Sequence, residues 1–238
     1  MRELADSLNA DIPKTRLRRI KQIIMTKVAP SILSGDFARM GEEVRRMERA
    51  GADMIHCDVM DGIFVPNLTF GPKMIADIRK YAATPLDVHL MIDRPERYLD
   101  HFIKAGADRL AFHVEATEIA EENLAHIKAA GIKAGIAICP ETEAEQIFSL
   151  LDRCDLVVVM GVHPGFSGQK YIPQTTEKLK ILRAEIARRG LAVELEMDGG
   201  ANESNAREIA SAGADTLVSG SCAFNSPSPE TVIAAFRG

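Results

Sequence analysis

His56 and Asp58 stand one residue apart in an apolar run, and His89 and Asp198 sit in two others. On an extended strand, side chains two apart share a face. His56, Asp58 and Met60 therefore point one way, and Cys57 and Val59 the other. The same parity sets Asp87, His89 and Met91 against Val88 and Leu90, and Glu194, Glu196 and Asp198 against Leu195 and Met197. With the apolar partners facing a packed layer, two imidazoles and two carboxylates converge. Such a set is either a hydrogen-bonded polar cluster or the ligand shell of a divalent metal. The metal explains more, because buried carboxylates that stay ionised need a cation and no Lys or Arg shares those inward strand ends. Imidazole with carboxylate suits zinc, iron, cobalt or manganese, and ligand type alone does not choose. Glu194 and Glu196 fall inside by the same rule and need partners of their own. Lys133 is one candidate.

A second constellation is rich in glycine. In Gly165-Phe166-Ser167-Gly168-Gln169 the glycines let backbone N–H groups turn toward an anion, and Gly199-Gly200 and Gly220-Ser221 add further donors. Each glycine pair alone is more often only a turn. At neighbouring strand ends, with a helix N-terminus close by, the three together describe a phosphate site.

The elements that must position these residues are short and regular. Eight apolar runs, 28–33, 54–60, 86–92, 110–114, 134–139, 156–162, 193–197 and 216–219, alternate with amphipathic stretches such as 36–50 and 177–189. Alternation of this kind implies parallel strands, and eight units close a barrel. The tetrapeptides 50–53, 105–108 and 212–215 all read Ala-Gly-Ala-Asp and sit between a helical stretch and an apolar run. They are helix-to-strand turns at the bottom of the barrel and carry no chemistry. Barrel enzymes react at the C-terminal strand ends. Reading only those ends selects Ser31, His56, Asp58, His89, His113, Glu115, Asp198 and the three glycine segments.

The sequence therefore predicts an α/β fold, a single (β/α)8 TIM barrel over residues 25–238. Residues 1–24 form a short N-terminal extension, helical or frayed, with a basic run from Lys14 to Lys21. The net charge of −5 argues against nucleic-acid partners, so an anionic substrate needs a local positive site. No apolar run approaches the ~20 residues that cross a bilayer, and no secretory signal opens the chain. The four cysteines show no paired spacing and read as reduced thiols of a soluble, cytoplasmic protein.

Several of these segments occur together in one known family. Val28-Ala29-Pro30-Ser31-Ile32-Leu33, His56-Cys57-Asp58-Val59-Met60-Asp61-Gly62, Phe64-Val65-Pro66-Asn67, Leu86-Asp87-Val88-His89-Leu90-Met91, Pro164-Gly165-Phe166-Ser167-Gly168-Gln169 and Asp198-Gly199-Gly200 closely resemble the ribulose-phosphate 3-epimerases. The resemblance runs from about Val28 to Phe224. It implies a ribulose-phosphate-binding barrel holding one divalent ion, zinc or ferrous iron first and manganese or cobalt next, on His56, Asp58, His89 and Asp198. It makes Asp58 and Asp198 the acid/base pair. It places Ser31, His89, Met60, Met91 and Met160 against the substrate, though taken alone the methionines read as core filler. It assigns the phosphate to Gly165, Phe166, Ser167, Gly168, Gly199, Gly200, Gly220 and Ser221. The implied reaction inverts C3 of a small phosphorylated ketose, D-ribulose 5-phosphate to D-xylulose 5-phosphate, in a homo-oligomer of the pentose phosphate pathway. Ile63, Gly161 and Ser167 depart from the residues usual in the family, and none of them is a ligand or a base. Related hexulose-phosphate 3-epimerases, acting on substrates such as D-allulose 6-phosphate, share most of these motifs. Gly200 and His113-Val114-Glu115-Ala116 look more like the pentulose branch.

Two rivals remain at this stage. A barrel decarboxylase of the related type would carry Asp-x-Lys-x-x-Asp, which the chain lacks, and a Schiff-base aldolase would need a Lys in the mouth. A non-catalytic sugar-phosphate sensor would keep the glycine loops without two opposed carboxylates.

Overall fold

The computed structural model describes residues 25–238. The extension, with its basic run, lies outside the described residues. Eight strands follow one another along the chain: β1 (Lys27–Pro30), β2 (Ile55–Met60), β3 (Leu86–Met91), β4 (Arg109–His113), β5 (Lys133–Ile138), β6 (Leu156–Met160), β7 (Glu194–Asp198) and β8 (Thr216–Ser219). All pair in parallel in one sheet ordered β1-β8-β7-β6-β5-β4-β3-β2. A single bridge between Ser31 and His56 brings β1 round to β2 and nearly closes the ring. Connections between parallel strands have to cross over. Helices Met40–Arg49, Pro72–Ile78, Leu99–Ala105, Ala120–Ala129, Thr175–Arg189 and Ala206–Ser211 do so here, with a 3₁₀ segment, Ala144–Leu150, between β5 and β6.

The strand residues that parity turns outward form the main core. Cys57, Val59, Val88, Leu90, Leu195 and Met197 pack there against helix residues such as Val44, Phe102, Leu182 and Ile209. The inner faces divide into two halves. Ala111, Ala137, Leu156, Val158 and Met160 from β4–β6 make a small apolar cluster, whereas β2, β3 and β7 turn His56, Asp58, Asp87, His89, Glu196 and Asp198 into the barrel, all buried.

The three Ala-Gly-Ala-Asp turns behave as their spacing predicts, with Gly51, Gly106 and Gly213 at φ 99°, 100° and 124°. Their aspartates do more than turn the chain. Asp53 accepts the N–H of Val28, Asp108 that of Leu86 and Asp215 that of Leu195, each at 2.8 Å. Asp155, at the start of β6, accepts that of Ala134 at 2.9 Å. Each even strand is thus tied to the odd strand before it, and the sheet register is held from below.

Boundaries moved where polar side chains intervened. The first strand stops at Pro30 rather than 33, because the Ser31 hydroxyl caps the N–H of Leu33 and starts a 3₁₀ turn. The stretch 36–50 is a 3₁₀ turn, Phe37–Arg39, capped by Asp36, followed by the helix Met40–Arg49. The fourth strand begins one residue early, at Arg109.

That residue is the partner the inner carboxylates require. Its Nη2 donates to Glu196 Oε2 at 2.8 Å and its Nη1 to Glu194 Oε2 at 3.3 Å, with Nε 3.0 Å from Asp87 Oδ1. Lys133 reaches Glu194 as expected, and Lys27 joins it. Neither lysine is paired with Glu196. Arg109→Ala would strand Asp87 and Glu196 as buried charges, so we expect a loss of about 3–5 kcal/mol in urea unfolding. A loss under 1 kcal/mol would show that the barrel does not depend on it.

Candidate active site

Four side chains from three strands meet at the C-terminal end of the barrel. His56 and Asp58 come from β2, His89 from β3 and Asp198 from β7, and each is buried. One donor atom from each lies within 4.8 Å of all the others. His56 Nε2 is 3.2 Å from Asp58 Oδ1 and 3.7 Å from Asp198 Oδ2. His89 Nδ1 is 3.3 Å and 3.2 Å from the same two oxygens. A tetrahedral ion with bonds of roughly 2.1 Å separates its ligands by about 3.4 Å. The spacing fits a metal.

Contacts behind the imidazoles fit one too. His56 Nδ1 lies 2.9 Å from Asp87 Oδ2 and 3.2 Å from Glu196 Oε1. Between two carboxylate oxygens that nitrogen keeps its proton, so it is Nε2 that would give up its proton and turn a lone pair to a cation at the centre. His89 pairs the other way. Its Nε2 is 3.0 Å from His113 Nε2, and His113 Nδ1 is 3.1 Å from Glu115 Oε2. A chain of N–H donors running from His89 through His113 to Glu115 leaves the Nδ1 lone pair of His89 facing Asp58 and Asp198. Sequence reasoning placed His113 and Glu115 at the strand ends without this role; the run of His-x-Glu one strand beyond His89 was its signal.

Charge in the site follows the same contacts. Burial opposes ionisation of Asp58, yet the charges and hydrogen bonds of His56 and His89 hold its carboxyl well below the usual range. Asp198 is lowered as well, against both burial and the repulsion of Asp58. Burial also disfavours charge on His56 and His89, but Asp58 and Asp198 outweigh it, raising His56 well above its ordinary value and His89 to about 9. Glu196 is pushed up to about 7 by burial and by Asp87 beside it.

Above the cluster opens a cavity of about 250 Å³. Ser31, Asp58 and Asp198 floor it, Met60, Met91 and Met160 wall it, and Leu33 and Val162 add apolar surface. The Ser31 hydroxyl donates to Asp58 Oδ2. His56 and His89 are covered by the carboxylates and do not line the cavity. Its far end is made by Gly165, Phe166, Ser167, Gly168, Gly199, Gly200, Gly220 and Ser221, together with Asn202 and Asn225, which sequence reasoning missed. Gly165, Gly168, Gly199 and Gly200 all have φ between 73° and 130°. A four-residue helix, Ser221–Phe224, starts at this end, so its first N–H groups have no partner within the helix. The Ser167 hydroxyl sits 2.6 Å from that of Ser34 and ties the loop to the 3₁₀ turn Ile32–Ser34 that follows β1. At Gly161 a Cβ would come 2.3 Å from the carbonyl oxygen of Gly199, so the bare backbone there lets β6 and the Gly199 turn pack together. Ile63 is 76% exposed and does not line the cavity.

The ribulose-phosphate 3-epimerase family model matches residues 27–224, which spans all eight strands and every residue of this site except Asn225. The chain belongs to the ribulose-phosphate 3-epimerase family. Ribulose-phosphate 3-epimerase of Rhodobacter capsulatus is 51% identical over 205 residues, 86% of this chain and 89% of that protein. The Synechocystis enzyme of that name is 46% identical over 212 residues, covering 88% and 92%. Among solved structures, 3-hexulose-6-phosphate synthase from Salmonella typhimurium superposes with a TM-score of 0.66 at 17% identity, covering 89% of this chain and 96% of that one. Orotidine 5'-phosphate decarboxylase from Pyrococcus horikoshii gives 0.64 at 15%, covering 89% and 99%. At such identities the structural likeness establishes the barrel alone. Membership makes the chain an isomerase acting on carbohydrates, and no helix among the described residues is long and apolar enough to cross a membrane.

Asp58 and Asp198 favour the protonated form of both His56 and His89, the rings that could ligate a cation. A cation must expel those protons, so apparent metal affinity should rise with pH up to about 9. Calorimetry at pH 7 in buffers of different ionisation enthalpy should register net proton release. Binding without proton release, at an affinity flat across that range, would refute this account of the ligand nitrogens.

Proposed function

We propose that the chain interconverts D-ribulose 5-phosphate and D-xylulose 5-phosphate by moving a proton between the two faces of C3. The observation that carries this reading is that Asp58 and Asp198, from strands on different sides of the mouth, face one cavity whose far end is a glycine loop cluster.

The phosphate binds to the backbone donors of the 165–168 loop, Gly199-Gly200 and Gly220-Ser221, which stand in for the charged side chains that this acidic chain does not supply there. Holding that remote group fixes the sugar so that C3 lies between the two carboxylates, and the binding energy is used to orient the reacting carbon. One aspartate removes the C3 proton and leaves a planar cis-enediolate. The other returns a proton from the opposite face, and the configuration inverts. Ser31 donates to Asp58, which weakens Asp58 as a base. Asp198 is therefore the stronger base of the pair. Met60, Met91 and Met160 keep water from the planar intermediate, where it would scramble or drain the transferred proton.

His56, Asp58, His89 and Asp198 would hold the divalent ion, for which zinc or ferrous iron is our choice. When bound, such an ion supplies Lewis-acid stabilisation of the negative charge that develops on the substrate oxygens. The cytoplasmic, homo-oligomeric state and the absence of nucleic-acid or membrane partners rest on the family resemblance and the acidic balance.

Solvent-deuterium exchange into C3 of ribulose 5-phosphate tests the reading directly. Wild type should wash deuterium into both epimers, while Asp58→Asn and Asp198→Asn should each lose ~10²–10⁴ in turnover. Near wild-type turnover in Asp198→Asn would remove the two-base scheme, and a protein that binds the sugar phosphate without exchange would be a sensor.

A further inference from the structure

A second group of donors lies behind the centre and takes no part in the reaction above. His113 ends β4 and Cys139 follows β5, and Glu115 stands in the 3₁₀ turn Val114–Ala116 between them. One donor atom from each lies within 4.8 Å of the other two. His113 Nδ1 is 3.1 Å from Glu115 Oε2 and 3.5 Å from Cys139 Sγ. The trio is braced: Glu115 Oε1 accepts the N–H of Cys139 at 2.8 Å and the hydroxyl of Thr142. Phe64 lies against the His113 ring, with centroids 4.8 Å apart. His113 is fully buried, but the Glu115 side chain keeps 25% of its surface in solvent, so an ion can enter from outside and keep a water as its fourth ligand.

We propose that His113, Glu115 and Cys139 form an accessory site for a thiophilic divalent cation, zinc or cadmium, and that filling it opposes retention of the ion at the His56, Asp58, His89 and Asp198 centre. A thiolate, an imidazole and a carboxylate make a set that such ions prefer over harder ones. Burial and the charges of Glu115 and Glu141 push the Cys139 thiol up to about 12, so without a cation the group stays a neutral thiol. The same negative charges favour a cation, and on binding the thiol proton leaves to solvent.

The coupling comes from counting protons on two rings. With only the central ion bound, His89 ligates through Nδ1 and donates from Nε2 to His113 Nε2, and His113 donates from Nδ1 to Glu115. An accessory ion takes His113 Nδ1, which confines that ring's one proton to Nε2. With both ions bound, two neutral imidazoles would therefore aim N–H against N–H across 3.0 Å. One ion has to weaken, or His89 must move its proton to Nδ1 and cease to be a ligand. This coupling rests on the reading of His89 as a metal ligand; the accessory site itself does not.

The test uses the full chain, stripped of metal, loaded with one equivalent of Mn²⁺ and titrated with Cd²⁺. Cadmium at the thiolate is read from its ultraviolet charge-transfer band, and displaced manganese from the electron paramagnetic resonance of the free ion. Wild type should develop the band with one Cd²⁺ per chain and release Mn²⁺ in step. Cys139→Ser should lose the band and need roughly tenfold or more Cd²⁺ to release the same Mn²⁺, the effect expected when two buried donors are forced together. Cys139→Ala should agree. A wild-type titration without the band, or a band that survives in both variants, overturns the accessory site. Equal Mn²⁺ release in wild type and variants overturns the coupling. Should the stripped protein take up no Mn²⁺ while the band appears and depends on Cys139, the accessory site stands and the central centre, with the coupling, falls.

Discussion

Carboxylates buried inside a barrel need counter-charge at every level, and this constraint organises the molecule from its floor to its mouth. At the floor, Lys27, Lys133 and Arg109 surround Glu194. One layer up, Arg109 reaches Asp87 and Glu196. Asp87 and Glu196 in turn fix the proton of His56, and His56 presents its free nitrogen to Asp58 and Asp198. Remove the guanidinium and the layers above lose the charge that keeps them in order.

Opposite this column the barrel is ordinary. Ala111, Ala137, Leu156, Val158 and Met160 fill the inner faces of β4–β6 with apolar bulk. The division has a chemical consequence. Two carboxylates on the polar side can meet a substrate whose other side lies against low-dielectric wall, where a few fixed charges act more strongly than they would in water. The phosphate end uses backbone donors, so that anion recognition adds no cationic side chain near the acids.

The two imidazoles are held by different hands. His56 leans on a carboxylate pair already neutralised from below, which makes its tautomer a property of the barrel interior. His89 leans on His113 and through it on Glu115, whose carboxyl is lowered to about 2 despite partial burial because His113 and Thr142 hydrogen-bond to it. That second arm reaches solvent.

Much of this was legible in the chain itself. The period-two parity of 56–60, 87–91 and 194–198 determined which side chains would enter the barrel, because a strand has only two faces and the apolar set claims one of them. The glycines marked the loops for the same elementary reason, that few other residues reach those backbone angles. What the linear pattern could not decide was which inward groups would touch across strands. Arg109 reads as the polar residue before an apolar run; its role comes from a side chain long enough to cross the barrel to β7, 85 and 87 residues away in sequence. The His89–His113 contact depends on how far β3 and β4 slide against each other, and the Cys139–Glu115 contact on how the chain leaves β5. Spacing along one strand dictates direction, whereas distance between strands is settled only when the sheet has closed.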